Sequence, residues 1–126
     1  MQITIYHNPD CGTSCNALAG IRKLGHEPHI VEYLKTPFSH SQIAALIAQM
    51  SISVRNLVRR NEPLFRELGL DEKDVTEDEL LDALVENPVL INRPIVVVQD
   101  GASTAARLCR PSALVTTLLG QMPPGP

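Results

Sequence analysis

The first 34 residues read as a strand, a turn, a helix and a second strand, and this order sets the fold. Gln2-Ile3-Thr4-Ile5-Tyr6 alternates, with Ile3 and Ile5 on one face and Thr4 and Tyr6 on the other, so residues 2–6 are expected to form a strand. His7-Asn8-Pro9-Asp10 is a turn. Residues 13–24 follow as a helix, with Leu18, Ile21, Arg22 and Leu24 at helical spacing and Gly25 as a stop signal. Pro28 to Leu34 is a second strand, centred on His29-Ile30-Val31-Glu32-Tyr33. Strand, helix and strand in this length make a βαβ unit, whose strands are expected to be parallel.

The middle of the chain, roughly 39–87, reads as helical with no strand signal. Ser39 or Ser41 caps a helix over 40–50 that places Ile43, Leu46, Ile47 and Met50 on one face. A short helix covers 53–59, ending in Arg59 and Arg60, and 64–68 adds a turn. Thr76, with Glu79 three residues on, is a capping box for a helix reaching Glu86. Asn92-Arg93-Pro94 then turns into a buried strand, Ile95-Val96-Val97-Val98. Asp100-Gly101 signals a hairpin, and a weak return strand centres on Arg107-Leu108-Cys109. Pro111 fits the first position of a helix that runs to Leu119. The sum is an α/β chain in the order of a thioredoxin-like domain: a four-stranded mixed sheet, flanking helices and an inserted helical block. The expected organisation is one domain over 1–120, and a disordered tail over 121–126, where three prolines and a glycine cluster.

Composition narrows the function classes. The net charge of −3 argues against non-specific binding to nucleic acid or to an anionic membrane. No apolar run approaches the length of a membrane span. The chain enters its first strand without a signal peptide, so a cytoplasmic, reducing location and three free thiols are expected. Cys11, Cys15 and Cys109 match no zinc spacing, and no metal is expected.

Cys11 stands where a strand ends and a helix begins. Helix N-terminal N–H groups favour an anion, so a thiol there tends to ionise, and the thiolate is the nucleophile. The same donors can hold an oxyanion beside the sulfur. Cys15, one helical turn on, reads as a helix-face thiol; a bridge to Cys11 would need the helix start to deform. Cys109 reads as a packed core thiol in the last strand. Arg59, Arg60, Arg93, Arg107 and Arg110 lie near element ends, where planar guanidinium forks could line an anion pocket or simply face solvent. Arg110, beside the Pro111 helix, is the best placed. His7, four residues before Cys11, could tune the thiol or face solvent. Pro94 occupies the place at which thioredoxin-like folds carry a cis-proline facing the active thiol.

Four segments carry a resemblance. They are Ile3 to Pro9 with Cys11-Gly12-Thr13-Ser14; Ile52-Ser53-Val54-Arg55 with Leu57-Val58-Arg59; Leu90 to Val97; and Arg107-Leu108-Cys109-Arg110-Pro111-Ser112. In these the chain resembles the glutaredoxin-linked bacterial arsenate reductases, the ArsC family, over about residues 3–119. The resemblance implies that Cys11 attacks arsenate, that Arg59, Arg93 and Arg110 hold the oxyanion together with Ser14 of the cysteine's own loop, and that His7 influences the thiol. It implies no bound cofactor, glutathione as reductant, glutaredoxin as partner, and a monomer. Two departures stand out. Cys15 occupies a position that is usually basic in the family, which leaves a disulfide with Cys11 open. The loop Asp100 to Ala106 looks longer than the family's. Two other readings share the fold: a redox-sensing regulator that binds RNA polymerase, and a glutathione-dependent thiol reductase with another substrate.

Overall fold

The computed structural model describes residues 1–121. The expected tail lies, from residue 122 on, outside the described residues. The elements are β1 (Gln2–His7), α1 (Gly12–Lys23), β2 (His29–Glu32), α2 (His40–Met50), α3 (Val54–Leu57), α4 (Pro63–Glu67), α5 (Glu77–Glu86), β3 (Ile95–Asp100), β4 (Ser103–Leu108) and α6 (Leu114–Gln121), with a 3-10 turn at Pro88–Leu90. They fall into two compact units. One comprises Met1–Thr36 and the chain from Arg93 on; the other is Pro37–Asn92.

The first unit is the sheet unit, a four-stranded mixed sheet in the order β2-β1-β3-β4. β1 runs parallel to β2, pairing Ile5 with Ile30, and antiparallel to β3, pairing Ile5 with Val96. β3 and β4 are antiparallel, from Ile95 opposite Leu108 to Asp100 opposite Ser103. The thioredoxin-like α/β reading is therefore the fold observed. Alternation along β1 buries Ile3 and Ile5 as the sequence pattern requires. They pack with Ala17 and Ile21 of α1, Val96 and Val98 of β3, Cys109, and Val115 and Leu118 of α6. A β-carbon on Gly20 would lie 3.2 Å from Val115 Cγ1, so the bare glycine lets α1 approach α6 closely.

The second unit is helical, as its sequence implies. Ser39 rather than Ser41 caps α2, with Gln42 completing the capping box, and Thr76 and Glu79 do the same for α5. α2 and α3 both pack on α5.

Several boundaries differ from the sequence reading. α1 buries Ser14, Ala17 and Ile21, whereas Leu24 falls beyond the helix and is 46% exposed. α3 stops at Leu57; Val58 is extended and bridges Ile91, so Arg59 follows an extended residue instead of closing a helix. The segment Asp100 to Ala106 is no long loop. Only Gly101 and Ala102 lie outside the strands, and Gly101 has φ +61°. A glycine with positive φ at the first position suits a two-residue hairpin turn. β4 is therefore longer and earlier than expected, and Cys109 lies just past its end. Pro111 is not a first helical residue: α6 begins at Leu114, after a turn in which the Leu114 N–H donates to Pro111 O at 3.0 Å. The peptide bonds before Pro94 and Pro111 are cis.

Ile5 is fully buried and Leu24 is not. In urea unfolding, Ile5→Ala should cost about 2–5 kcal/mol, and Leu24→Ala should stay within roughly 0.5 kcal/mol of the parent.

Candidate active site

The turn of residues 8–11 carries the chain from β1 into α1. Asn8 holds it: its Oδ1 accepts from the Asp10 N–H at 3.0 Å, and its carbonyl oxygen accepts from the Cys11 N–H at 3.0 Å. Asparagine suits this place because its side chain can bond the backbone two residues on. Cys11 occupies the N-cap of α1 with extended φ −104° and ψ 121°. The first turn of a helix presents N–H groups with no intrahelical acceptor, and they carry the positive end of the helix dipole. No acidic residue of α1's first turn opposes that charge.

Burial is the largest single influence on the Cys11 thiol, 6% exposed, and it pushes the pKa up. Opposing it are the Ser14 backbone N–H, the charge of Arg93, and donors from Arg93 and Arg110. Together these prevail, and the Cys11 pKa lies below its ordinary value. The Ser14 N–H faces the sulfur without completing a capping hydrogen bond. Arg110 Nη1 stands 3.8 Å from Cys11 Sγ and donates to Arg93 O at 3.0 Å, which fixes its guanidinium over the thiol. Arg93 Nε is buried and has no hydrogen-bond partner among the described residues. A buried, unpartnered donor is costly, so this nitrogen stands ready for an acceptor that enters.

His7 and Ser14 form the floor of the junction, at 7% and 0% exposure. His7 Nδ1 lies 2.6 Å from Ser14 Oγ, and the Asn8 N–H donates to the same oxygen at 3.1 Å. Ser14 thus ties the end of β1, the turn and the first turn of α1 together. Burial lowers the His7 pKa by more than the Glu32 charge raises it, and Arg22 adds a smaller lowering.

The structure therefore gathers His7, Cys11, Ser14, Arg93 and Arg110 at one end of the sheet. Arg59 belongs to the helical unit. There its Nη1 pairs with Glu62 Oε2 at 3.1 Å and donates to Val89 O at 3.4 Å. The roles of Asn8 in shaping the turn and of Ser14 in locking it escape a reading by residue type. The Asn8-Pro9-Asp10 turn signal was their only trace.

The other two thiols differ. Cys15 is exposed, and its Sγ–H donates to Pro9 O at 3.3 Å. Cys109 is fully buried, and burial pushes its pKa up to about 12, against a smaller lowering by Arg107. Among the described residues, no three His, Cys, Asp or Glu side chains gather to hold a metal ion. No helix among them is long and apolar enough to cross a membrane.

The profile of the ArsC family matches residues 6–117. The arsenate reductase of Escherichia coli K12 is 52% identical over 117 residues, spanning 93% of this chain and 80% of its own. That of Rhizobium meliloti is 49% identical over 126 residues, spanning 100% of this chain and 87% of its own. A solved arsenate reductase from Vibrio cholerae superposes with a TM-score of 0.86 at 37% identity, covering 94% of this chain and 98% of the other.

Alkylation by iodoacetamide reads the Cys11 thiolate directly, with Cys15→Ser removing the exposed thiol. The rate should climb with pH and level off once Cys11 is ionised, at a lower pH than for an ordinary thiol. Arg93→Ala removes a charge that favours the thiolate, so the levelling-off should move to higher pH.

Proposed function

The chain belongs to the ArsC family, and from that premise we propose that it is an arsenate reductase that uses Cys11 as nucleophile and glutathione with glutaredoxin as electron source. One observation carries the reading: a thiol with lowered pKa faces two arginines, one of which keeps a buried Nε without an acceptor. That is a nucleophile beside an oxyanion-binding fork.

Arsenate binds as a dianion, its oxygens held by Arg93, Arg110 and the N–H groups that open α1. Fixed donors aimed at oxygens that gain charge lower the barrier, because they need no reorganisation during the reaction. The Cys11 thiolate attacks arsenic; a sulfur–arsenic bond forms and one arsenate oxygen, protonated, leaves as water. A glutathione thiolate then attacks the Cys11 sulfur. The sulfur–sulfur bond forms, the sulfur–arsenic bond breaks, and its electron pair stays on arsenic, which leaves as arsenite. Glutaredoxin reduces the Cys11–glutathione disulfide. His7 acts through Ser14, holding the loop that presents the thiol. The protein works in the cytoplasm as a monomer, with no bound cofactor.

The test is arsenate-dependent NADPH consumption with glutathione, glutaredoxin and glutathione reductase. Cys11→Ser should abolish it; an active Cys11→Ser protein would sink the mechanism. Arg93→Ala and Arg110→Ala should each lower kcat/KM by about 10²–10³-fold, the usual cost of removing an oxyanion donor. Arg60→Ala, at an exposed side chain, should change it little.

A further inference from the structure

We propose that Cys15 is a resolving thiol: it displaces arsenic from Cys11 by forming a Cys11–Cys15 disulfide, so that one turnover can finish without glutathione. The inference rests on the arsenate reductase reading above and adds a second catalytic residue to it.

Three features place Cys15 for this task. Its backbone N–H donates to Cys11 O at 3.0 Å, so the two residues are joined across the first turn of α1. Its Sγ–H donates to Pro9 O at 3.3 Å, so the thiol is folded back onto the turn that carries Cys11. And Cys15 is exposed while Cys11 is buried, which gives the pair one sulfur inside the site and one that an external reductant can reach.

The separation can close. Two residues four apart inside a helix hold their β-carbons about 5–6 Å apart, and a disulfide needs roughly 4 Å. Cys11, extended and outside the helix, is not held to the helical spacing. Beside it, Gly12 has open space where a β-carbon would stand, apart from its chain neighbours and the helix's own backbone, so no packed side chain crowds that point. The bond that must lengthen is the one from the Cys15 N–H to Cys11 O. Cys109, fully buried, does not compete.

Cys15 gives up its proton and its thiolate attacks Cys11 Sγ in the arsenic adduct. The sulfur–sulfur bond forms, the sulfur–arsenic bond breaks, and the electron pair reduces As(V) to As(III). Both thiols are oxidised by one electron each, and arsenite leaves. A dithiol, or two molecules of a monothiol, then attacks the exposed Cys15 sulfur and expels Cys11 as thiolate. That leaving group is a good one because Arg93, Arg110 and the helix N-terminus stabilise it, so a tightly closed disulfide here is readily reduced.

The experiment uses the full chain, reduced, freed of added thiol and given one equivalent of arsenate. Wild type should release close to one arsenite per chain. Its tryptic peptide of residues 1–22, which contains Cys11 and Cys15 but not Cys109, should lose two hydrogens. Cys15→Ser should release none until glutathione is added, then turn over. Release by Cys15→Ser without glutathione, or a wild type that also waits for glutathione, overturns the resolving role and leaves the reductase reading standing. No arsenite from wild type even with glutathione and glutaredoxin overturns both.

Discussion

β1 is hydrogen-bonded on both edges, and the directions of its two neighbours decide where every group of the site must fall. Because β2 runs parallel to it, the chain leaving β1 has to cross back over the sheet, and α1 is that crossover. The end of β1 is thereby joined to the N-terminus of a helix, and Cys11 caps it. Because β3 runs antiparallel, its first residue, Ile95, pairs with Tyr6 near the end of β1, so Arg93 is delivered to the same edge. β4 returns antiparallel to β3 and finishes with Leu108 opposite Ile95, which brings Arg110 there as well. A thiol and two guanidiniums far apart in sequence meet because three strand ends coincide.

Much of this was legible in the chain. Strong period-two alternation marked β1, and the run of Val residues marked β3, since both faces of a central strand are covered. Ser39 or Ser41, and Thr76, announced α2 and α5, because a serine or threonine hydroxyl replaces a missing acceptor for the first N–H groups. What misled was weak local chemistry. Ser103 to Ala106 lacks the bulky branched residues that advertise a strand, yet it pairs with β3 throughout, because the ladder and the hairpin at Gly101 carry it. Leu24 fits a helical period but falls after the helix has ended.

The site was legible to a different depth. Cys11 could be picked out by its place between strand and helix alone. Arg93 could not be separated from Arg60 or Arg107 without the family resemblance, and Arg110 stood out only by its place before Pro111, because a guanidinium's partners depend on which strand ends meet. Arg110 owes its position to the end of β4, and the turn at Pro111 separates it from α6. The Ser14 hydroxyl shared by His7 and the Asn8 N–H joins three segments, and residue types in sequence do not encode such a junction.

Cys11 and Cys109 show that donors, not burial alone, set the direction in which a buried thiol's pKa moves. Cys11 and Cys109 are both buried, at 6% and 0% exposure, and burial raises the pKa of each. Cys109 lies in a cluster of Ile, Val and Leu and stays a thiol. Cys11 meets a helix N-terminus and two arginines and ionises more readily. The neighbours Cys109 and Arg110 make the contrast within two residues: one side chain enters the core, the next reaches Cys11. The guanidiniums that lower the Cys11 pKa are also those available to an entering oxyanion. In the proposed reaction nucleophile and anion would otherwise repel one another, and cations shared by both would hold them in one place before attack begins.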